Sequence, residues 1–180
     1  MGASRKTKPK KPRALNQDGS KRVNGRAKGA SFERRIAKQI SEWCGFHCVR
    51  TPMSGGWCKT GDVTPKDPKD MVGFIFNMEL KKQEKWNFTQ LFQMPLSGKF
   101  KSWWNQCIDD AKKSKRIPVL IFTKNHEQVF CALRKEEFRK LKLNTGTNAY
   151  LRIGGLRVCL WQDILNIPYQ VVLDRLGRVK

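Results

Sequence analysis

Histidines and acidic residues are the scarce groups in this chain. Only two histidines are present, His47 and His126, and 15 Asp and Glu stand against 37 Lys and Arg. Two histidines are too few for a hydrolase or nuclease site that is built on several histidine ligands. Because the formal charge is +22, we treat each acidic residue in a defined local context as a candidate catalytic or metal-binding residue.

Long apolar runs are also missing. No stretch of about 18 apolar residues occurs, which is the length that a membrane-spanning helix needs, and the early lysines are not followed by the apolar segment of a secretory signal. The phosphate-binding pattern G-x-x-x-x-G-K-[ST] does not occur either, so no nucleotide cofactor is predicted. We therefore expect a cytoplasmic protein of a prokaryotic or virus-infected cell that does not contact membranes.

The six cysteines lack the dense, regular spacing of a small secreted scaffold. We interpret them as reduced thiols of the core. Cys44, His47, Cys48 and Cys58 have the ligand chemistry of zinc, but a second properly spaced ligand pair is missing, so a zinc site is not favoured.

The excess of basic residues predicts a polyanionic partner, because such a charge neutralises phosphates. Residues 1–28 are rich in Lys, Arg, Pro and Gly and hold few large apolar residues, which predicts a disordered basic arm. This arm either follows a phosphate backbone, which we favour, or only adds solubility. Charge alone predicts nucleic-acid binding and no particular reaction.

Hydrophobic periodicity predicts helices and strands in an order typical of an α/β domain. We expect a central mixed sheet flanked by helices, with a domain core over 29–140 and an extension of the same domain over 141–180. The extension is predicted to hold two short strands around Gly154-Gly155 and a last amphipathic segment. The predicted elements of the core are a helix over Ser31–Cys44, a short strand over Phe46–Arg50, a strand over Val72–Lys81, a helix over Lys101–Lys115, strands over Ile117–Thr123 and Gln128–Leu133, and a helix over Lys135–Leu141.

Glu79 and Lys81 are the pair with the clearest chemical meaning. Their spacing of two places both on one side of a strand, so a carboxylate that can hold Mg²⁺ lies beside an ammonium that can orient water or neutralise a phosphate. Asp62 could supply a second carboxylate for the metal. Taken alone, an E-x-K pair is more often an ordinary exposed strand face.

Four segments resemble, in their order and in their local sequence, the archaeal-type Holliday junction resolvases of the PD-(D/E)XK nuclease superfamily. The resemblance covers about residues 26–125. The segments are Lys28-Gly29-Ala30-Ser31-Phe32-Glu33-Arg34-Arg35, Arg50 with Ser54-Gly55-Gly56, Gly61-Asp62-Val63, and Glu79-Leu80-Lys81.

This resemblance implies a restriction-endonuclease-like core and a metal site made by Glu33, Asp62 and Glu79. With Lys81 and Ser54 these residues form the implied catalytic set, and the implied cofactor is Mg²⁺, for which Mn²⁺ is expected to substitute. The implied substrate is a four-way DNA junction that a homodimer cuts in recombination or repair. The candidate DNA contacts are Arg26, Lys28, Arg34, Arg50, Ser54, Trp57, Lys82 and Gln106.

Several departures and alternatives accompany this interpretation. Gly61 replaces the proline of the superfamily's name, and the long insert over 64–70 brings in Asp67 and Asp70, which we interpret as loop acids rather than ligands. Glu33 could instead be a first-turn glutamate that suits a helix N-terminus.

The tryptophans carry a separate expectation. Trp104 is predicted to lie in the core, whereas Trp57, Trp86 and Trp103 are candidates for stacking on bases. Two other functions remain open. One is a nuclease of the same superfamily, encoded by a phage or mobile element, that acts on other branched or duplex DNA. The other is a non-catalytic basic nucleic-acid-binding protein.

Overall fold

The computed structural model describes residues 25–51, 61–84, 86–92, 98–145 and 148–177. Five helices and seven strands lie in this described part of the chain. The helices are α1 (Gly25–Cys44), α2 (Gly98–Ser114), α3 (Lys135–Lys140), α4 (Trp161–Leu165) and α5 (Tyr169–Leu176). The strands are β1 (Cys48–Arg50), β2 (Val63–Pro65), β3 (Phe76–Lys82), β4 (Ile117–Thr123), β5 (Phe130–Arg134), β6 (Leu151–Ile153) and β7 (Leu156–Leu160).

A mixed sheet organises the fold, as the sequence predicts. Within the described residues its strand order is β3-β4-β5-β7-β6. The strands β3 and β4 are parallel, and the remaining pairs are antiparallel. The strands β1 and β2 form a separate antiparallel pair, which packs against α1 and approaches β3. The predicted α/β architecture is confirmed.

Helices cover both faces of the large sheet. Along β4, Val119 and Ile121 belong to one apolar cluster, whereas Leu120 and Phe122 belong to a second one. Residues of α1, α3, α4 and α5 fill the first cluster, and residues of α2 fill the second. Because side chains alternate between the faces of a strand, a strand covered on both sides must be apolar throughout, which explains the composition of β4.

Helix α1 starts earlier than predicted. Phe32, Ile36 and Ile40 lie in the core at the predicted spacing, and the helix ends before Gly45, whose φ of +76° suits glycine. It begins at Gly25 rather than near Ser31, so residues 25–28 belong to the helix and not to the predicted arm. The remainder of that arm lies outside the described residues.

Two tryptophans proposed to stack on bases lie in the core instead. Trp103 and Trp86 are buried in the cluster under α2, where their rings meet edge to face with centroids 6.2 Å apart. The prediction of base stacking is therefore wrong for both. Trp104 is buried as predicted, because adjacent positions of α2 both reach the sheet. Trp57 lies outside the described residues.

Strand β3 is shorter than predicted, because it begins at Phe76 rather than at Val72. Residues 68–71 form a 3₁₀ turn farther upstream. Asp67 caps this turn by accepting a hydrogen bond from Lys69 N at 2.9 Å. Both faces of β3 are covered: Asn77, on the side predicted to be polar, is buried and donates from Nδ2 to Ser114 Oγ of α2 at 3.1 Å. Of the charged pair on this side, Glu79 is therefore buried, and Lys81 lies nearer to the end of the strand and to solvent.

The chain after residue 141 completes the same sheet. The two predicted strands around Gly154-Gly155 are β6 and β7, and β7 pairs with β5. The last helices close over the first: Trp43 Nε1 donates to Ile167 O at 2.7 Å, and the Tyr169 hydroxyl donates to Gly73 O at 2.7 Å. Among the described helices, none is long and apolar enough to cross a membrane.

The described cysteines are free thiols. Cys131 and Cys159 face each other across β5 and β7, with their sulfurs 3.4 Å apart in the core. The sulfurs of Cys44 and Cys48 lie 3.8 Å apart near the end of α1. No metal-binding group of three or more His, Cys, Asp or Glu occurs in the described ranges, and Cys58 lies outside them.

Candidate active site

The end of β3 brings a buried carboxylate and an ammonium together. Glu79 is 2% exposed, and Lys81 Nζ forms an ion pair with Glu79 Oε1. The Lys81 side chain is 19% exposed, so the ammonium lies at the boundary between the core and solvent. The period-two prediction for this pair is confirmed as geometry.

Asp62 lies directly beside β3. Its backbone N–H donates to Met78 O at 2.7 Å, and its Oδ2 accepts a hydrogen bond from Leu80 N at 2.8 Å. The carboxylate is thus fixed to the strand that carries Glu79. Asp62 is close enough to Glu79 that its charge raises the pKa of Glu79.

Gly61 makes this close approach possible. Its φ is +82°, in the left-handed region that favours glycine. A Cβ at this position would lie 3.2 Å from both Asn77 Oδ1 and Met78 O. Because proline holds φ near −65°, the glycine that departs from the superfamily's proline is required by the backbone found here.

The electrostatics of the site disfavour the negative charge of Glu79. Burial raises the pKa of Glu79 to about 7, with a further contribution from the charge of Asp62, while the hydrogen bond and charge of Lys81 act in the opposite direction. A carboxyl group with such a pKa gains most from a nearby positive charge. Perturbed groups of this kind concentrate at functional sites.

Helix α2 supplies the third side of the site. Lys81 Nζ donates to Gln106 Oε1 at 3.2 Å, and the charge of Asp110 adds to the rise in the Glu79 pKa. Cys107 is fully buried near Glu79, and burial followed by the charge of Glu79 raises the pKa of its thiol.

Sequence reasoning singled out Gln106 but missed the strip to which it belongs. Gln106, Asp110 and Ser114 recur every four residues on α2, opposite Lys81, Glu79 and Asn77, which recur every two residues on β3. Asn77 meets Ser114 at one end, and Lys81 meets Gln106 at the other. The polar period of four on an otherwise amphipathic helix was the available signal.

Glu33 occupies a different position from the other two acids. Its Oε2 forms an ion pair with Arg50 Nε, which joins α1 to β1. The structure brings Asp62 and Glu79 together, and in the described residues it does not gather Glu33 with them into a three-ligand cluster. The role of Glu33 as a metal ligand stays a prediction.

Some of the remaining predicted DNA contacts lie on described elements, and the others lie outside the described residues. Arg34 is exposed on α1, while Lys28 and Lys82 are half-buried. Ser54, Trp57 and the side chain of Arg26 lie outside the described residues, so their roles stay predictions. Of the rival acids, Asp67 caps a surface turn and Asp70 lies in that turn, as expected of loop acids.

The mixed sheet flanked by helices fits the fold of a PD-(D/E)XK nuclease, and Asp62, Glu79 and Lys81 lie together on it. A family model described as "Phage putative PDDEXK endonuclease" matches residues 24–153. The chain belongs to this family. No curated protein and no solved structure matches it.

Proposed function

We propose that this protein is a Mg²⁺-dependent endonuclease that hydrolyses phosphodiester bonds in branched DNA, with the four-way junction as its substrate. The observation that carries the proposal is the constellation at the end of β3. Asp62 and Glu79 are held side by side, and Lys81 is fixed between Glu79 and Gln106. The motif order that resembles junction resolvases supports the choice of substrate within the family.

The two carboxylates fit a divalent cation. Mg²⁺ is commonly bound by one or two carboxylates together with water and substrate phosphates, and the raised pKa of Glu79 marks a place where added positive charge is favourable. A bound metal would activate water and stabilise charge on the phosphate. Mn²⁺, which also prefers carboxylate oxygens, is expected to substitute.

Lys81 has the geometry of a positioning cation. The partners Glu79 and Gln106 restrain its ammonium at the edge of the site. From there it can orient the attacking water or neutralise charge that develops on the scissile phosphate. Arg50 is similarly restrained by Glu33, which would direct its remaining donors towards a phosphate backbone.

A homodimer fits the proposed reaction. Resolution of a junction with two-fold symmetry requires two matched incisions, and an isologous dimer provides one active site for each. Recognition by charge and shape requires no base-specific contacts. The net charge of +22 supports this mode of binding, and affinity should then fall steeply with salt.

The decisive experiment compares cleavage of a labelled immobile four-way junction with cleavage of the matching linear duplex. Wild-type protein, Lys81→Ala and Lys82→Ala are each tested with Mg²⁺ and with EDTA. We expect paired, symmetric nicks in the junction, which are lost with EDTA and in Lys81→Ala. Lys82→Ala, changed at the next position of the same strand, should weaken binding but still cut.

Other outcomes assign other functions. Equal cutting of the linear duplex would retain the nuclease and reject the junction as its preferred substrate. Tight binding without cutting under Mg²⁺ or Mn²⁺ would leave a non-catalytic binding protein. Cutting that survives in Lys81→Ala would reject the role given to Lys81.

A further inference from the structure

A surface groove runs between α1 and β1, next to the candidate active site. Its volume is about 540 Å³. One wall is a face of α1 that includes Arg34 and Lys38, and the other wall is the segment from His47 to Arg50. The proposed catalytic machinery uses the Arg50 end and leaves the remainder of the groove unassigned.

The charges on the rim suit a polyanion. Arg34, Lys38 and Arg50 line the groove, and Glu42 is the only acid among its lining residues. Glu42 lies 3.8 Å from Lys38 Nζ, but both side chains are largely exposed, at 66% and 80%. An exposed pair of this type contributes little, so a phosphate can replace Glu42 as the partner of Lys38 at low cost.

The floor of the groove is apolar. Ala37 and Cys48 are buried beneath it, and Val49 is half-buried. A phosphodiester chain presents the same two kinds of surface, since its phosphates are anionic and its sugars are largely apolar. Basic rims with an apolar floor are a common means of following a nucleic-acid strand.

The groove ends close in the chain to the candidate active site. Arg50 lines the groove and pairs with Glu33. The next residue, Thr51, donates its backbone N–H to Asp62 O at 2.9 Å. The Arg50 end of the groove is therefore the end that lies nearest to Asp62.

The dimensions match a short run of nucleotides. Arg34 to Glu42 spans eight residues of α1, or about 12 Å at 1.5 Å per residue. One strand of B-DNA carries a phosphate about every 3.4 Å along the axis. Because the backbone winds around the axis, successive phosphates are farther apart than this rise, and the groove is long enough for about two to three of them.

We propose that this groove binds the backbone of the cleaved DNA strand on one side of the scissile phosphate, with Lys38 as its most remote phosphate contact. The assignment rests on the proposed nuclease function. In this assignment the contact with Lys38 determines how many nucleotides the substrate must have beyond the cut. Branched substrates that lack about three nucleotides on that side would lose this contact.

Binding of an uncleaved junction in EDTA tests Lys38 without any need for catalysis. We expect Lys38→Ala to raise Kd about three- to tenfold and to reduce the slope of log K against log salt by about one. Lys140→Ala is the matched control, because Lys140 also forms an i,i+4 pair with a glutamate, Glu136, on a helix away from the groove. Its effect should stay below about twofold.

Neutral methylphosphonate groups, placed singly along the cleaved strand, then locate the contact. For wild type, a neutral group at two or three neighbouring positions on one side of the cut should raise Kd. For Lys38→Ala, neutral groups at the same positions should leave Kd unchanged. The proposed role of the groove would be overturned if Lys38→Ala and Lys140→Ala had equal effects on Kd. It would also be overturned if neutral groups raised Kd for Lys38→Ala as much as for wild type. If the junction is never cut although Lys38→Ala weakens binding, the nuclease assignment fails and the groove remains a backbone contact.

Discussion

Lys81 Nζ of β3 donates a hydrogen bond to Gln106 Oε1 of α2 at 3.2 Å. This bond joins the strand that carries the candidate catalytic pair to the helix that covers it. Gln106 is exposed, so the bond contributes little to folding, and its main effect is on the position of the ammonium.

Replacement of Gln106 by alanine should slow cleavage more than it changes stability. We expect kcat to fall about tenfold, because a displaced catalytic group loses part of its orientation. Measurement of single-turnover cleavage and of the urea midpoint separates the two effects. Asn105→Ala, at the neighbouring exposed position, is the control, and an equal loss in both variants would reject the positioning role.

Glu79→Gln should stabilise the metal-free protein at high pH and abolish cleavage. The folded-state pKa of about 7 lies above the ordinary value of 4.5, so the contribution of Glu79 to stability is fully present below pH 4.5 and is lost as the pH rises through 7. The difference between variant and wild type should grow across this window by about 3 kcal/mol.

Urea unfolding in EDTA at several pH values between 4 and 8 measures this difference. Glu127→Gln, at an exposed position, controls for the loss of one negative charge. A stability difference that does not change with pH would contradict the raised pKa of Glu79.

Asp62→Asn should remove activity while preserving the local backbone. Asparagine keeps an oxygen that can accept the Leu80 N–H, but it lacks the charge that attracts a metal. We expect a loss of about a thousandfold in rate, which corresponds to about 4 kcal/mol. Removal of this charge should also lower the pKa of Glu79, which carboxyl NMR titration can follow.

Asp67→Asn discriminates between the two candidate ligand regions. Asp67 caps a surface turn, so its replacement should cost at most about 1 kcal/mol of stability and leave cleavage intact. If Asp67→Asn lost cleavage and Asp62→Asn retained it, the metal site would lie in the insert over 64–70.

Trp161→Ala tests whether the C-terminal extension belongs to the nuclease domain. Trp161 is 2% exposed and packs in the cluster that contains α1 and β3. Truncation should reduce the free energy of unfolding by about 3 to 5 kcal/mol in a single cooperative transition. Gln162→Ala, exposed on the same helix, should change it little, and two separate transitions would indicate an independent extension.

Local pattern was sufficient for much of the fold. The spacing of Phe32, Ile36 and Ile40 predicts α1, and the apolar run of β4 predicts a buried strand, because each signal depends on one element alone. The same holds for Glu79 and Lys81, whose shared side follows from the two-residue period.

Features that depend on two distant elements could not be predicted in this way. The burial of Glu79 requires α2 to cover β3, and the sequence of β3 carries no information on that cover. The pairing of Glu33 with Arg50 requires β1 to lie beside α1. Trp103 was misassigned because Trp103 and Trp104 are neighbours on a helix, and only the packing shows that both reach the core.

This chain cannot accept the proline for which its superfamily is named. The turn at Gly61 has a φ that proline does not reach, and even a methyl group there would crowd the backbone of Met78. Gly61→Pro would thus disrupt the placement of Asp62. A search for a literal proline before the aspartate would therefore pass over this chain.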